Sequence, residues 1–186
     1  MSMHTQPLLT VADLELMPDD FNRYELMEGV IVVSPPPGLT HQRALGNLLT
    51  ILNIFLSKHP IGEVFTTPGV TFNQHNSVIP DITYLSHARL AEVVSRDHIE
   101  GPPELMIVFV SPGSTNARRD RVLKRQVYGK QGIQEYWIVD PRKRTVEIYR
   151  LHKNSLELVI SLSDEDRITT PLLPSLAIPV SSVFGS

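Results

Sequence analysis

The run Leu105-Met-Ile-Val-Phe-Val110 constrains this chain most, because it is apolar at every position. A strand with one face in water alternates apolar and polar residues, whereas a strand covered on both faces does not. The run therefore predicts a central strand, and the remaining sequence has to furnish a cover for each side. Upstream, from Thr40 to about Lys58, Ala44, Leu45, Leu48, Leu49, Ile51, Leu52, Phe55 and Leu56 recur at helical spacing, which predicts the longest helix of the chain. Downstream, a basic helix is expected from about Asn116 to Gly129, with Gly132 just past its end. A second buried strand follows at Tyr136-Trp-Ile-Val139.

Shorter elements surround this centre. Thr10-Val-Ala-Asp13 has capping-box spacing ahead of Leu14, Leu16 and Met17, so a short helix is expected before Pro18. Tyr24 to Met27 and Val30 to Val33 flank Glu28-Gly29 and read as a hairpin. Val64 to Thr67 and Val70 to Phe72, joined at Pro68-Gly69, read as a second one. Val78 to Leu85 reads as the strand that follows. Proline cannot donate to a sheet ladder, so Pro80 within it marks a bulge or an edge where Asp81 is aimed out of the strand. A helical segment near Ala88 to Val94 comes before the central strand, and Val146 to Tyr149 with Leu156 to Ile160 form a last hairpin. The order predicts an α/β (α+β) fold: a mixed central sheet with flanking helices and extra hairpins. One domain is expected over 1–186, with a short tail at 1–9 and a proline-rich segment at 171–186 running over the surface.

Composition excludes whole classes of chemistry. At 186 residues a compact core buries about 70% of the unfolded chain's surface, so no cross-link is needed to hold it together. The chain has no cysteine, which removes thiolate metal sites, iron–sulfur clusters and thiol nucleophiles. No apolar stretch is long enough for a membrane span and the start resembles no signal peptide, so a cytoplasmic protein is expected. The net charge of −3 hides an asymmetry. Nine basic and three acidic residues between Arg118 and Arg144 give that segment +6, leaving −9 elsewhere. The segment reads either as a solvated helix face and charged turn or as a strip facing phosphates.

The seven histidines show no i, i+4 metal pair, Ser111-Pro-Gly-Ser114 lacks the setting of a nucleophile elbow, and no glycine-rich nucleotide loop occurs. Nucleotide cofactors are therefore not expected. What remains is Asp81 after Pro80, the central strand some way downstream, and the basic helix carrying Lys124.

In this order along the chain, Arg23-Tyr-Glu-Leu-Met-Glu-Gly29, Ser34-Pro-Pro-Pro-Gly38, His41-Gln42, Pro80-Asp81, Pro103-Glu-Leu105, Ser111-Pro112, Asp120 with Lys124 and Tyr128, and Gly132-Ile-Gln-Glu-Tyr-Trp-Ile-Val-Asp-Pro141 resemble the Uma-type family of restriction endonucleases. That family belongs to the PD-(D/E)XK nuclease superfamily, and the resemblance runs from about Thr10 to Val183. It implies a restriction-endonuclease-like core and hydrolysis of DNA phosphodiesters with Mg²⁺ or Mn²⁺. A hard cation of this kind takes oxygen ligands, lowers the pKa of a bound water and offsets charge on phosphorus, while a nearby lysine orients that water. By position, the resemblance makes Asp81 the metal carboxylate, the Phe109 backbone carbonyl a further ligand, Lys124 the catalytic lysine and Glu25 an acid near the metal. Asp120, one turn before Lys124, would pair with it. His41 would meet a phosphate at the start of the long helix. Arg118, Arg119, Arg121, Arg125 and Lys130 would grip DNA. A homodimer suits cutting both strands of a duplex.

One position departs from the family pattern. The glutamate expected two places before the last apolar residue preceding Ser111-Pro112 is Val108, so the second metal carboxylate is missing. Glu104 does not replace it, lying four residues earlier or roughly 13 Å along the strand. Val108 also fits an ordinary β-branched core position. Two readings follow: a Mg²⁺-dependent endonuclease with impaired metal binding, or a protein of nuclease fold that binds DNA or a protein partner without cutting.

Overall fold

Both faces of the central strand are covered, as its missing alternation requires. The computed structural model describes residues 7–110 and 118–185, with the backbone alone at Arg119 and Asp120. In chain order the elements are α1 (Val11–Leu14), β1 (Arg23–Met27), β2 (Val30–Ser34), α2 (Leu39–Lys58), β3 (Gly62–Thr66), β4 (Val70–Asn73), β5 (Asn76–Val78), β6 (Ile82–Ser86), α3 (His87–Val93), β7 (Val94–Ser95), β8 (His98–Glu100) and β9 (Leu105–Phe109). A π-helical turn (Arg119–Lys124) then leads into α4 (Arg125–Gln131), β10 (Glu135–Asp140), β11 (Thr145–His152), β12 (Ser155–Leu162), β13 (Arg167–Ile168), β14 (Ile178–Pro179) and α5 (Val180–Phe184).

The large sheet has six strands in the order β12-β11-β10-β9-β6-β3, and only β9 and β10 run parallel. Successive residues of β9 point to opposite sides. Leu105, Ile107 and Phe109 pack with Ala44, Leu45, Leu48, Leu52 and Leu56 of α2 and with Trp137 and Val139 of β10. Met106, Val108 and Val110 pack on the other side with Val127 and Tyr128 of α4, Tyr136 and Ile138 of β10, and Met27, Val70 and Val78 of a second sheet. That sheet also has six strands, in the order β2-β1-β5-β4-β8-β7. Trp137 and Tyr136 are fully buried core residues, and the Trp137 indole N–H donates to Glu135 Oε1 at 2.6 Å.

Two glycines are required by geometry. The β1–β2 turn has φ of 50° at Glu28 and 74° at Gly29, the paired left-handed conformation of a two-residue hairpin. Gly129 lets α4 approach β12, since a side chain there would meet the Leu156 nitrogen at 3.0 Å and the Asn154 carbonyl at 3.1 Å.

Three expectations change. Val64–Thr67 and Val70–Phe72 form no hairpin: β3 pairs with β6 in the large sheet and β4 with β5 in the other. The chain crosses between sheets at Thr67-Pro68-Gly69. Val78–Leu85 is not one strand either, because the missing N–H and fixed φ of Pro80 end β5, and β6 starts in the other sheet at Ile82. The proline-rich end keeps Pro171, Pro174 and Pro179 exposed but does not merely run over the surface: Leu173, Ile178, Val180 and Val183 are buried against the α2 side of the core. Of the expected basic helix, Asn116 lies outside the described residues, as does Ser111-Pro-Gly-Ser114. Among the described residues no helix is long and apolar enough to cross a membrane.

Candidate functional site

The corner at Pro80 builds the site. Asp81 donates its N–H to the Ile107 carbonyl at 3.1 Å and accepts from the Thr67 N–H at 3.0 Å, which fixes its backbone between both crossings. Its carboxylate, 3% exposed, turns over the end of β9. Oδ2 accepts the Phe109 N–H at 2.7 Å. Oδ1 meets Arg23 Nη1 at 3.0 Å, and His41 Nε2 lies 3.2 Å from it. That histidine contact is close without hydrogen-bond alignment, and neither ring nitrogen makes a hydrogen bond among the described residues. His41 sits in the first turn of α2, 7% exposed, its ring 5.4 Å from that of Phe109.

A second buried pair faces the first. Glu25 of β1 is 1% exposed, and its Oε1 accepts the Ile79 N–H at 3.0 Å. Lys124 Nζ lies 2.9 Å from Oε2 and 3.1 Å from Oε1. Lys124 ends the π-helical turn, a widened winding that recurs at functional sites. Arg23, Glu25, His41, Asp81, Val108, Phe109 and Lys124 line one cavity of about 30 Å³, with Ser34, Pro35 and Pro37 beside them. That is room for a water or two.

Burial pushes the Asp81 carboxyl up, but His41, the Phe109 N–H and Arg23 together hold it below the ordinary aspartate value. Asp81 is therefore a carboxylate at neutral pH. Each acid of this cavity thus stands against a basic side chain, Asp81 against Arg23 and Glu25 against Lys124.

The donor set fits a divalent cation poorly. Mg²⁺ demands six oxygen ligands in near-octahedral array. Here both Asp81 oxygens are engaged by protein donors, both Glu25 oxygens are held by Lys124 and Ile79, and Val108 offers no ligand. Among the described residues no group of three or more His, Asp or Glu side chains is arranged to hold a metal. Glu104 is elsewhere: it accepts the Ser86 N–H at 3.0 Å and hydroxyl at 2.6 Å at the start of α3. The Phe109 backbone does face Asp81. Val110 on the other edge donates to Val139 of β10, and a residue's N–H and C=O point the same way in a strand, so the Phe109 carbonyl shares the Asp81 edge.

The structure thus brings together Asp81, Phe109, Lys124, Glu25 and His41. The basic strip is arranged differently. Arg121 Nε binds Glu147 Oε1 at 2.8 Å and its Nη2 binds Asp140 Oδ2 at 3.3 Å. The Arg125 guanidinium lies over the Tyr149 ring, 5.5 Å from its centre, and Lys130 pairs with Glu28. Arg118 is exposed, while the side chains of Arg119 and Asp120 lie outside the described residues. Arg23 is the member without an assigned role in the sequence reading. Its signal was strand alternation: Arg23 and Glu25 are two apart in β1 and project from one face.

Among solved structures, "a putative nuclease belonging to DUF820" from Anabaena variabilis ATCC 29413 superposes with a TM-score of 0.76 at 20% sequence identity, covering 95% of this chain and 97% of that one. At that identity the likeness establishes the fold. No curated protein matches the chain. The family model Uma2, described as "Putative restriction endonuclease", matches residues 11–181. With the match spanning nearly the whole sequence, the chain belongs to the Uma2 family.

Proposed function

We propose that this chain binds the phosphates of DNA at the Asp81 centre and has lost metal-dependent hydrolysis. The carrying observation is Val108 in the slot of the second metal carboxylate, in a cavity whose two remaining carboxylates are already paired with Arg23 and Lys124. Removing a ligand while supplying protein cations works against Mg²⁺ or Mn²⁺ twice, by coordination and by charge. In this reading the chain is one cytoplasmic domain that acts on DNA as a homodimer.

The second reading, an active Mg²⁺-dependent endonuclease, is favoured by the convergence of Asp81, Glu25 and Lys124, since those are the parts that hydrolysis by this family would use. In it Asp81 and the Phe109 carbonyl would hold the ion, which would supply an activated water, and Lys124 would stand beside that water.

Plasmid cleavage separates the two. Native protein, Asp81→Ala and Val108→Glu are incubated with Mg²⁺ or Mn²⁺, with binding to the same DNA measured in EDTA. The binding reading expects native protein to bind and not to cut. Cleavage by native protein that Asp81→Ala abolishes would establish the enzyme instead.

A further inference from the structure

Arg23 is exposed over 23% of its side chain, while the groups around it are nearly sealed. Its two hydrogen bonds, to Asp81 Oδ1 at 3.0 Å and to the Ile79 carbonyl at 3.3 Å, both run through Nη1. A guanidinium has five N–H donors in a planar fork, and those of Nε and Nη2 make no hydrogen bond among the described residues. Beside it His41 is more than nine-tenths buried, lines the same cavity, and has ring nitrogens with no hydrogen bond among the described residues. The helix that carries His41 runs for 20 residues, has Gly38 at its N-cap with no side-chain cap, and has no acid in its first turn. Its free N–H groups leave partial positive charge at that end. Arg23, His41 and this helix end thus meet at one small polar cavity.

We propose that the Arg23 guanidinium occupies the position of the divalent cation in this centre, anchored by Asp81, and that its remaining N–H groups together with His41 receive one phosphate oxygen of DNA without metal. This deepens the binding reading and rests on it. The cavity of about 30 Å³ matches it, since it has room for an oxygen of a group lying at the mouth. Guanidinium is suited to the exchange because it is planar, permanently charged and weakly hydrated, so it tolerates burial against a carboxylate while still offering a fork to phosphate. The pairing also explains why Val108 is tolerated: with a monovalent organic cation on Asp81, a second carboxylate would leave the cluster with uncompensated negative charge.

Two measurements on the full chain test this. In the first, Mn²⁺ is titrated calorimetrically into native protein, Val108→Glu and Val108→Glu/Arg23→Gln. Native protein should give no binding at millimolar Mn²⁺, and the double variant should bind at least tenfold more tightly than Val108→Glu alone. Equal affinity of the two variants, or Mn²⁺ binding by native protein, would overturn the proposal. In the second, a duplex oligonucleotide and inorganic phosphate are each titrated in EDTA. Arg23→Gln should weaken the oligonucleotide at least tenfold; an unchanged affinity refutes Arg23 as the receptor. If phosphate alone competes as well as the oligonucleotide, the ligand is free phosphate and the DNA part fails. If native protein binds no DNA, the binding reading fails by itself while the Mn²⁺ titration still judges the position of Arg23. Should Arg23→Gln not fold, Arg23→Met replaces it in both arms, removing the charge and the fork while keeping a long side chain.

Discussion

The chain holds two networks of arginine or lysine with carboxylates, and they differ in what surrounds them. In one, Asp81 and Glu25 are nearly sealed against Arg23, His41 and Lys124. In the other, Arg121 bridges Asp140 at the C-terminal edge of β10 and Glu147 of β11, with 16% of the Glu147 side chain in water, and Tyr149 donates its hydroxyl to Glu147 at 2.7 Å. Both consist of short contacts, yet they are not worth the same. A sealed charge that loses its partner has nowhere to find water, whereas an edge charge exchanges its partner for solvent. Short distances therefore identify neighbours, and burial decides which of them the fold depends on.

The largest break in this comparison comes at Lys124. Lys124→Met leaves Glu25 buried with the Ile79 N–H and no lysine, and should cost about 3–5 kcal/mol in urea unfolding, with little dependence on salt. Adding Glu25→Gln should recover part of that loss, because glutamine still accepts from Ile79 while carrying no charge. If Lys124→Met costs no more than an exposed pair does, the sealed network is not a structural necessity.

Asp81→Asn comes next, at about 2 kcal/mol near neutral pH, since the N–H of Phe109 and the guanidinium of Arg23 lose a charged acceptor. Its pH dependence carries the sharper signal. The folded carboxyl titrates below its value in the unfolded chain, so between those two pKa values the unfolded state binds more protons. The stability from Asp81 is thus present above the unfolded value of about 3.9 and is lost as pH falls through the lower folded one. Asp81→Asn should flatten the acid limb of stability below about pH 4, read by urea midpoints across that range. An unchanged limb would mean the carboxylate is not held by its neighbours.

How much of this was legible in the sequence follows from the range of each signal. Strand β9, helix α2 and the β1–β2 turn were, because periodicity and turn chemistry are local and tertiary packing agrees with them. The pairing of β3 with β6 was not. Pro68-Gly69 looks like a hairpin turn, and nothing within a few residues says that the strands on either side belong to different sheets. The packing of the proline-rich end is hidden for a related reason: Leu173, Leu176, Ile178 and Val183 have no period, and their burial depends on α2, far away in sequence. At the site, Asp81, Glu25 and Lys124 were found through motif resemblance, but what they do to each other depends on pairings across 58 and 99 positions. Spacing cannot supply that. The basic strip was legible as composition only, and its partners Glu147 and Glu28 lie outside the stretch from Arg118 to Arg144.

The smallest expected effect lies in that strip, and it separates charge that is spent from charge that is presented. Arg121→Ala should cost about 1 kcal/mol, a loss that shrinks in high salt, because Glu147 gains water and the buried Asp140 keeps the N–H groups of Arg142 and Lys143. In DNA binding the order reverses. Each lysine or arginine that meets a phosphate contributes about 0.9 to the slope of log affinity against log salt. Arg118 is exposed and Arg121 is engaged by Asp140 and Glu147, so Arg118→Ala should lower the slope by about that amount while Arg121→Ala leaves it unchanged. Fluorescence anisotropy with a duplex oligonucleotide across a salt series reads both. If Arg121→Ala lowers the slope as much as Arg118→Ala, the edge network opens to meet DNA, and its carboxylates are holding the arginine in reserve rather than consuming its charge.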